Sequence, residues 1–300
     1  MGPMKLFTSL CLLMCFWINV PAFAAERKIQ VVTSLFPLYD FARQVGGDKV
    51  EVSLLLPPGV EAHDFEPKPG DMIKINRADI FIFTGKFMEP WTANLTKGSD
   101  NQSLLVLDAS QGIILLKDRA EEKGVDPHIW LDLANAQKMV NTIAGCFKAK
   151  DPANSKFYQD NSLSYNKQLQ ALDREYQAAL AKCRQKVMIS GGHFAFGYLA
   201  KRYNLQYQAA YRGFGTDAEP TVRDLLDLIN KIKKYQVKYI FYEELINPKV
   251  ANTLAQETGA GLLKLNSAHN LTRDEWEKGV TFLTIMAENL ITLKVGLSCQ

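Results

Sequence analysis

The chain is poor in the residue types that form metal sites and covalent cross-links. Its 300 residues include four histidines and five cysteines, and no two cysteines have the C-x-x-C spacing of a thiolate metal site. The chain has no large excess of one charge, because it contains 35 basic and 32 acidic residues. The basic residues also form no cluster, and both features argue against nucleic-acid binding. The H-E-x-x-H motif of metalloproteases is also absent.

Long hydrophobic runs are scarce, and the one that stands out lies at the start of the chain. Leu6–Val20 is almost wholly apolar and follows the positive charge of Lys5, and Pro21–Ala24 ends in the A-x-A pattern of a signal-peptidase site. The run has about 15 residues, short of the roughly 20 that span a bilayer, and a retained anchor is the alternative. The bulky residue before Cys15 disfavours a lipoprotein cleavage site. We therefore predict a signal peptide over residues 1–25 and a soluble, exported mature chain.

Three cysteines remain after removal of that segment, namely Cys146, Cys183 and Cys299. An oxidising compartment permits one disulfide among them. Cys146 and Cys183 flank a predicted helix of about 30 residues, which would hold them roughly 45 Å apart. We therefore predict a bridge between Cys183 and Cys299, with three free thiols as the alternative.

Short β-type runs alternate with helical stretches, which is typical of α/β proteins with parallel sheets covered by helices. A mature chain of about 275 residues suits two lobes better than one simple core. The predicted strands are Lys28–Thr33, Val50–Leu56, Asp79–Phe83 and Leu104–Leu107 in the first half, and Val187–Ser190, Leu205–Ala209, Lys238–Tyr242 and Gly261–Leu265 in the second. Four strands in each half indicate two similar lobes.

A long helix is predicted between the two halves. Asp151-Pro152 is a helix start signal, and Ala153–Lys182 contains neither glycine nor proline and has apolar residues at an approximate helical period. The predicted organisation is a signal peptide (1–25), an N-terminal lobe (26–152), a connecting helix (153–182) and a C-terminal lobe (183–300).

The histidines lie where an α/β fold places its ligands. His63 follows a strand in a proline-rich loop, and His193 follows another strand through Gly191-Gly192. Loops past the carboxyl ends of parallel strands are the usual binding edge of such sheets. His128 lies just before a helix for which Asp132 is a predicted N-cap. Imidazole is a ligand that suits zinc, and four ligands complete a tetrahedral site.

Three motifs around these histidines resemble one family. They are Pro-Pro-Gly-x-x-x-His-x-x-Glu-Pro at Pro57–Pro67, Asp-Pro-His-x-Trp-Leu-Asp at Asp126–Asp132 and His-x-Ala-Phe-Gly-Tyr-Leu at His193–Leu199. The chain is identified by them as a member of the ZnuA/TroA-like class, the extracytoplasmic zinc and manganese receptors of ABC importers. The resemblance covers nearly all of the mature chain. It implies two lobes, each with a four-stranded parallel sheet, joined by one long backbone helix with the metal between them.

The resemblance also bears on the metal and its ligands. It implies His63, His128 and His193 as ligands, and a histidine in the third position favours zinc over manganese. Where the family commonly has an aspartate, this chain has Asn266, a poor zinc ligand, while His269 lies three residues further along the same loop. We predict His269 as the fourth ligand. A water, an open position, Glu61 or Asn266 are the alternatives.

Two further acidic residues are candidates for a supporting role. Glu219 and Glu243 are expected to orient a ligand or to fix a loop, the alternative being surface or capping carboxylates. Because neutral imidazoles bind metal, zinc affinity is expected to fall as the pH drops below the free histidine pKa of about 6.5.

The function implied is capture of Zn²⁺ in the periplasm and its delivery to an ABC permease by a monomeric receptor that is not an enzyme. A manganese receptor of the same class is the alternative. A zinc-dependent hydrolase with Glu61 as general base is a distant one, because three histidines and a water resemble a catalytic zinc site. Some members of the class are called adhesins, but the chain contains no recognisable adhesive element.

Overall fold

The structure is a computed structural model that describes residues 27–63, 65–117, 124–211 and 220–300. The predicted signal peptide and Glu219 lie outside the described residues. Within the described part of the chain, no helix is both long enough and apolar enough to cross a membrane.

Among the residues that the structure describes, eight parallel strands form two separate four-stranded sheets, which confirms the predicted α/β fold. The strands are β1 (Ile29–Thr33), β2 (Val50–Leu54), β3 (Ile80–Phe83), β4 (Leu105–Asp108), β5 (Val187–Ser190), β6 (Gln206–Ala209), β7 (Tyr239–Tyr242) and β8 (Gly261–Lys264). The first sheet has the order β2-β1-β3-β4 and the second has the order β6-β5-β7-β8, so the two sheets share one topology. The central strands β3 and β5 are nearly continuous apolar runs because helices cover both faces of each sheet.

Ten α-helices surround the sheets within the described residues. They are α1 (Phe36–Gly46), α2 (Pro69–Arg77), α3 (Thr92–Lys97), α4 (Leu133–Lys150), α5 (Ser155–Ala181), α6 (Gly197–Arg202), α7 (Val222–Lys234), α8 (Lys249–Thr258), α9 (Arg273–Glu277) and α10 (Phe282–Gly296). Short 3₁₀ turns occupy Gly47–Lys49, Ile129–Leu131 and Pro152–Asn154. As predicted, Asp132 caps α4, where its side chain accepts a hydrogen bond from Ala134 N.

The predicted long helix is α5, which has 27 residues and is therefore about 40 Å long. It is fastened to neighbours from both halves of the chain. Tyr165 donates a hydrogen bond to Asp40 on α1 at 3.0 Å, and Tyr176 donates one to the carbonyl of Met286 on α10. One apolar core continues from the first lobe through α5 into the second. The two lobes are thus held together over a wide area.

A disulfide joins Cys183, just after α5, to Cys299, just after α10. It ties the last residues of the chain to the end of the connecting helix. Cys146 lies buried on α4 with a free thiol. Burial raises the pKa of that thiol to about 11, which keeps it protonated.

Candidate metal centre

The four histidines lie together. His63, His128, His193 and His269 each offer one ring nitrogen, and these four atoms all lie within 4.8 Å of one another. Nε2 of His128 is 3.3 Å from Nε2 of His63 and 3.2 Å from Nε2 of His193. A zinc tetrahedron with Zn–N bonds of about 2.05 Å has ligand–ligand distances of about 3.3 Å. Two edges of the histidine cluster therefore have the length that a tetrahedral zinc ion requires.

The fold explains why residues so distant in sequence meet. His63 follows β2, His193 follows β5 and His269 follows β8, so three of them occupy loops at the carboxyl ends of parallel strands. His128 caps the 3₁₀ turn that leads into α4. Two histidines come from each half of the chain, and the cluster forms where the two sets of loops meet.

The cluster is enclosed except at one histidine. His128, His193 and His269 are at most 1% exposed, whereas His63 is partly exposed. Trp130, which is fully buried, packs edge-on against His128 and His269 with ring centroids 5.6 and 5.3 Å away. Trp130 thus forms one wall of the cluster. An ion would approach the cluster past His63.

Burial sets the protonation of the enclosed imidazoles. It lowers the pKa of His193 to about 4, although Glu61 nearby favours the charged form. Burial, and then repulsion from the other imidazoles when they are charged, lowers the pKa values of His128 and His269 well below the ordinary value. Since a lowered pKa favours the neutral form, all three remain able to bind metal well below pH 6.5. The sequence-based expectation of protonation near pH 6.5 does not hold for them.

This protonation behaviour makes a direct prediction for the metal-free protein. The imidazole Cε1–H NMR signals of His128, His193 and His269 should not move between pH 7.5 and pH 5.5. A free imidazole passes from roughly 10% to roughly 90% protonated over that interval, because its pKa is about 6.5. A titration midpoint near 6.5 for any of the three signals would contradict the enclosed geometry described above.

Each enclosed imidazole has a polar group close to its other ring nitrogen. Nδ1 of His128 lies 2.8 Å from Asp126 Oδ1 in a hydrogen bond. Nδ1 of His193 lies 2.8 Å from Glu243 Oε2, an ion-pair distance at which the two atoms do not have hydrogen-bond geometry. Nδ1 of His269 lies 2.6 Å from Ser267 Oγ. Such partners hold a metal-binding imidazole in one orientation and keep the proton off the nitrogen that binds the metal.

Two glycines make room for these partner carboxylates. A Cβ atom on Gly192 would lie 1.9 Å from Glu243 Oε1, and one on Gly197 would lie 2.4 Å from Asp126 Oδ2. The glycine before His193 is therefore needed for the approach of a carboxylate to that histidine.

The alternative fourth ligands have other contacts. The Asn266 side chain accepts a hydrogen bond from Ala268 N at 2.8 Å, which holds Ala268 at a positive φ of 56°. Glu61 accepts a hydrogen bond from the backbone of His63 at 3.2 Å and is not among the four clustered side chains. Burial raises the pKa of Glu61. Of the predicted supporting residues, Glu243 contacts His193.

Hydrogen bonds connect the loop of His269 to the loop of His63. Gly59 N donates to the Leu271 carbonyl at 2.7 Å. The Asn270 amide donates to the carbonyls of Pro57 and Val60 at 2.7 and 3.0 Å. Contacts made by the protein itself therefore fix the positions of the two halves of the histidine cluster relative to each other.

Sequence reasoning missed Asp126, Ser267 and Glu244 as parts of this site. A signal for two of them was present, because Asp126 and Ser267 each lie two residues before a histidine of the cluster. Glu244 had no such signal. Its carboxylate contacts Ser267, which is 23 residues away in the sequence. The pairing of β7 with β8 brings these two residues together.

Comparison with known proteins agrees with this geometry. The family described as zinc-uptake complex component A, periplasmic, matches residues 31–296. The chain is 38% identical over 282 residues to the high-affinity zinc uptake system protein ZnuA of Bacillus subtilis, covering 90% of this chain and 88% of that protein. It is 34% identical to the zinc-binding lipoprotein AdcA of Streptococcus pneumoniae serotype 4, of which it spans 56%.

A solved structure shows the same fold. The Zn(II)-bound ZnuA-like domain of Streptococcus pneumoniae AdcA superimposes with a TM-score of 0.79 at 33% identity, covering 90% of this chain and 99% of that domain. The relatives are named for zinc binding and zinc uptake and not for catalysis, which confirms the expectation of a receptor rather than an enzyme. The chain belongs to the ZnuA family of zinc-uptake components.

Proposed function

We propose that this chain captures Zn²⁺ outside the cytoplasmic membrane and delivers it to an ABC import permease. The observation that carries the proposal is the histidine cluster, two of whose edges, at 3.3 and 3.2 Å, match a zinc tetrahedron. His63 and His128 from the first lobe and His193 and His269 from the second are the proposed ligands. Four neutral nitrogen donors suit zinc better than manganese, which prefers oxygen.

The rigid setting of the cluster determines how binding is signalled. The connecting helix, the shared core and the hydrogen bonds between the His63 and His269 loops hold the lobes together. We therefore expect zinc to lock a nearly formed site instead of closing two widely separated lobes. The permease can distinguish loaded from empty receptor only through a difference between those two states. The partly exposed His63 is the ligand best placed to differ between them.

The family supports a place of action outside the cytoplasm. Its description as periplasmic agrees with the predicted signal peptide over residues 1–25, and uptake receptors of this class hand their metal to a membrane permease. A monomer is proposed, since the two lobes of one chain supply all four histidines.

A hydrolase is disfavoured by the same geometry. A catalytic zinc site keeps one coordination position open for water, whereas four protein ligands fill the tetrahedron. Glu61, the candidate general base, already accepts a hydrogen bond from the backbone of His63.

Titration of the metal-free mature protein tests the proposal. It should bind one equivalent of Zn²⁺ in competition with a chromophoric chelator, and prefer Zn²⁺ to Mn²⁺ by several orders of magnitude. Cells that lack the chain should take up zinc poorly at low external zinc, and the plasmid-borne wild-type gene should restore uptake. Tighter binding of Mn²⁺, or esterase activity that depends on added zinc, would contradict the proposal.

A further inference from the structure

We propose that Ser267 and Glu244 act as a pair that positions His269 for metal binding by fixing the ring proton on Nδ1. The inference rests on the proposed function, since it assumes that His269 is a zinc ligand. It assigns roles to two residues outside the three histidine motifs of the chain.

The contacts form a short chain that leads away from the metal centre. Nδ1 of His269 lies 2.6 Å from Ser267 Oγ, and Ser267 Oγ donates to Glu244 Oε1 at 2.8 Å. The other oxygen of Glu244 accepts a hydrogen bond from Ser267 N at 2.9 Å. At the opposite side of the ring, Nε2 of His269 is buried and has no hydrogen-bond partner among the described residues.

The direction of these hydrogen bonds decides which nitrogen can bind the ion. A serine hydroxyl has one proton, and when Ser267 donates it to Glu244, the oxygen can only accept from His269. The imidazole proton then resides on Nδ1, and Nε2 presents its lone pair to the cluster. The reverse arrangement would place the proton on Nε2 and leave His269 unable to bind metal. Burial raises the pKa of the Glu244 carboxyl to about 8, whereas both hydrogen bonds from Ser267 favour its ionised form. In its ionised form the carboxylate selects the competent tautomer through the serine.

The loop that carries this pair is held independently of the hydroxyl group. Asn289 on α10 pairs with both backbone polar groups of Asn266, accepting from its N at 2.8 Å and donating to its O at 2.7 Å. Trp130 donates to the Ser267 carbonyl at 2.9 Å. Removing Ser267 Oγ leaves these contacts and the Ser267 N to Glu244 bond in place. A Ser267→Ala change thus removes the contact to His269 together with the bond from the hydroxyl to Glu244, while the backbone of the loop stays held.

His269 differs from the other two enclosed histidines in how a carboxylate is connected to its ring. Asp126 and Glu243 approach His128 and His193 directly, each at 2.8 Å, whereas Glu244 acts on His269 through an intervening hydroxyl. Loss of a group that orients a metal-binding histidine typically costs 10- to 100-fold in affinity. Because the serine is the only link between Glu244 and the ring in this chain of contacts, its removal should show that cost.

The test measures Zn²⁺ affinity by chelator competition in five variants of the mature protein, four of them single substitutions and one double. Ser267→Ala should weaken binding about tenfold, and Ser267→Thr, which keeps the hydroxyl, should stay within about threefold of wild type. Ser53→Ala is the matched control, since the Ser53 hydroxyl donates to the Val31 carbonyl at 3.4 Å within the first sheet and is not part of the histidine cluster. In a His269→Ala background, Ser267→Ala should have no further effect, because the serine acts through that ring.

The outcomes separate the inference from the proposed function. If wild type binds no zinc, the proposed function fails. If wild type binds zinc but Ser267→Ala binds equally well, only the inference fails. A tenfold loss that persists in the His269→Ala background would also overturn it, because the serine would then be a structural residue of the loop. Circular dichroism of each metal-free variant establishes that it is folded before its affinity is compared.

Discussion

His269→Ala should weaken zinc binding by about 10²- to 10³-fold. The apparent binding free energy of a four-ligand zinc site is about 10–16 kcal/mol, so one ligand accounts for about 3–4 kcal/mol, and each 1.4 kcal/mol is a factor of ten. His269 is fully enclosed, and one of its ring nitrogens belongs to a cluster in which all four nitrogens lie within 4.8 Å of one another. Chelator competition with Zn²⁺ measures the change.

Glu61→Gln is the matched control for this substitution. Glutamine keeps the oxygen that accepts the hydrogen bond from His63 N, but it removes the carboxylate that would be the competing fourth ligand. We expect its zinc affinity to change little. If Glu61→Gln weakened binding as much as His269→Ala, or if His269→Ala left affinity unchanged, the fourth ligand would have to be sought elsewhere.

Gly192→Ala should weaken zinc binding by about 10- to 100-fold and also destabilise the fold. The added Cβ would lie 1.9 Å from Glu243 Oε1, so the carboxylate must leave its position beside His193, or the backbone must move. Loss of the orienting carboxylate accounts for the affinity, and overpacking of a buried site costs about 1–3 kcal/mol of unfolding free energy. Chelator competition and urea denaturation of the metal-free protein measure the two effects separately.

Two further variants show whether Glu243 is the cause. Gly145→Ala is the matched control, because nothing lies within 4 Å of a Cβ atom at that helix position, and alanine there should raise stability by about 0.5–1 kcal/mol. Adding Glu243→Ala to Gly192→Ala removes the clash and should recover stability without recovering affinity. If affinity returned as well, the carboxylate would not be needed to orient His193.

Most of the fold and part of the site could be predicted from the sequence. Continuous apolar runs such as Val187–Ser190 identified the strands, since strands buried on both faces have that composition. The ends of the elements were less predictable, and the predicted strand Val50–Leu56 ends at Leu54 in the structure. The first three histidines were found because each lies within a motif contained in one short segment.

The fourth position could not be settled in that way. Asn266, in the place where an aspartate is common, is used to shape the loop, with its side chain bonded to Ala268 N and its backbone held by Asn289. These contacts depend on a left-handed residue and on a helix 23 residues away, and no local pattern encodes either. His269 reaches the cluster only because the loop takes this conformation.

The contacts that fix the position of one lobe relative to the other could not be predicted from the sequence either. Asn270 bonds to the carbonyls of Pro57 and Val60 from more than 200 residues away, with separations of 213 and 210. The resemblance implied only that the metal lies between the lobes. In the structure the protein itself connects the lobes, and we expect the metal to complete an arrangement already present.

The central claim is that one zinc ion binds to four histidines, and anomalous diffraction at the zinc edge from crystals of the zinc-loaded protein tests it most directly. We expect a single strong peak about 2.0–2.1 Å from one ring nitrogen of each of His63, His128, His193 and His269. A peak bonded to three histidines with water or Glu61 in the fourth position, or a peak outside the cluster, would contradict it.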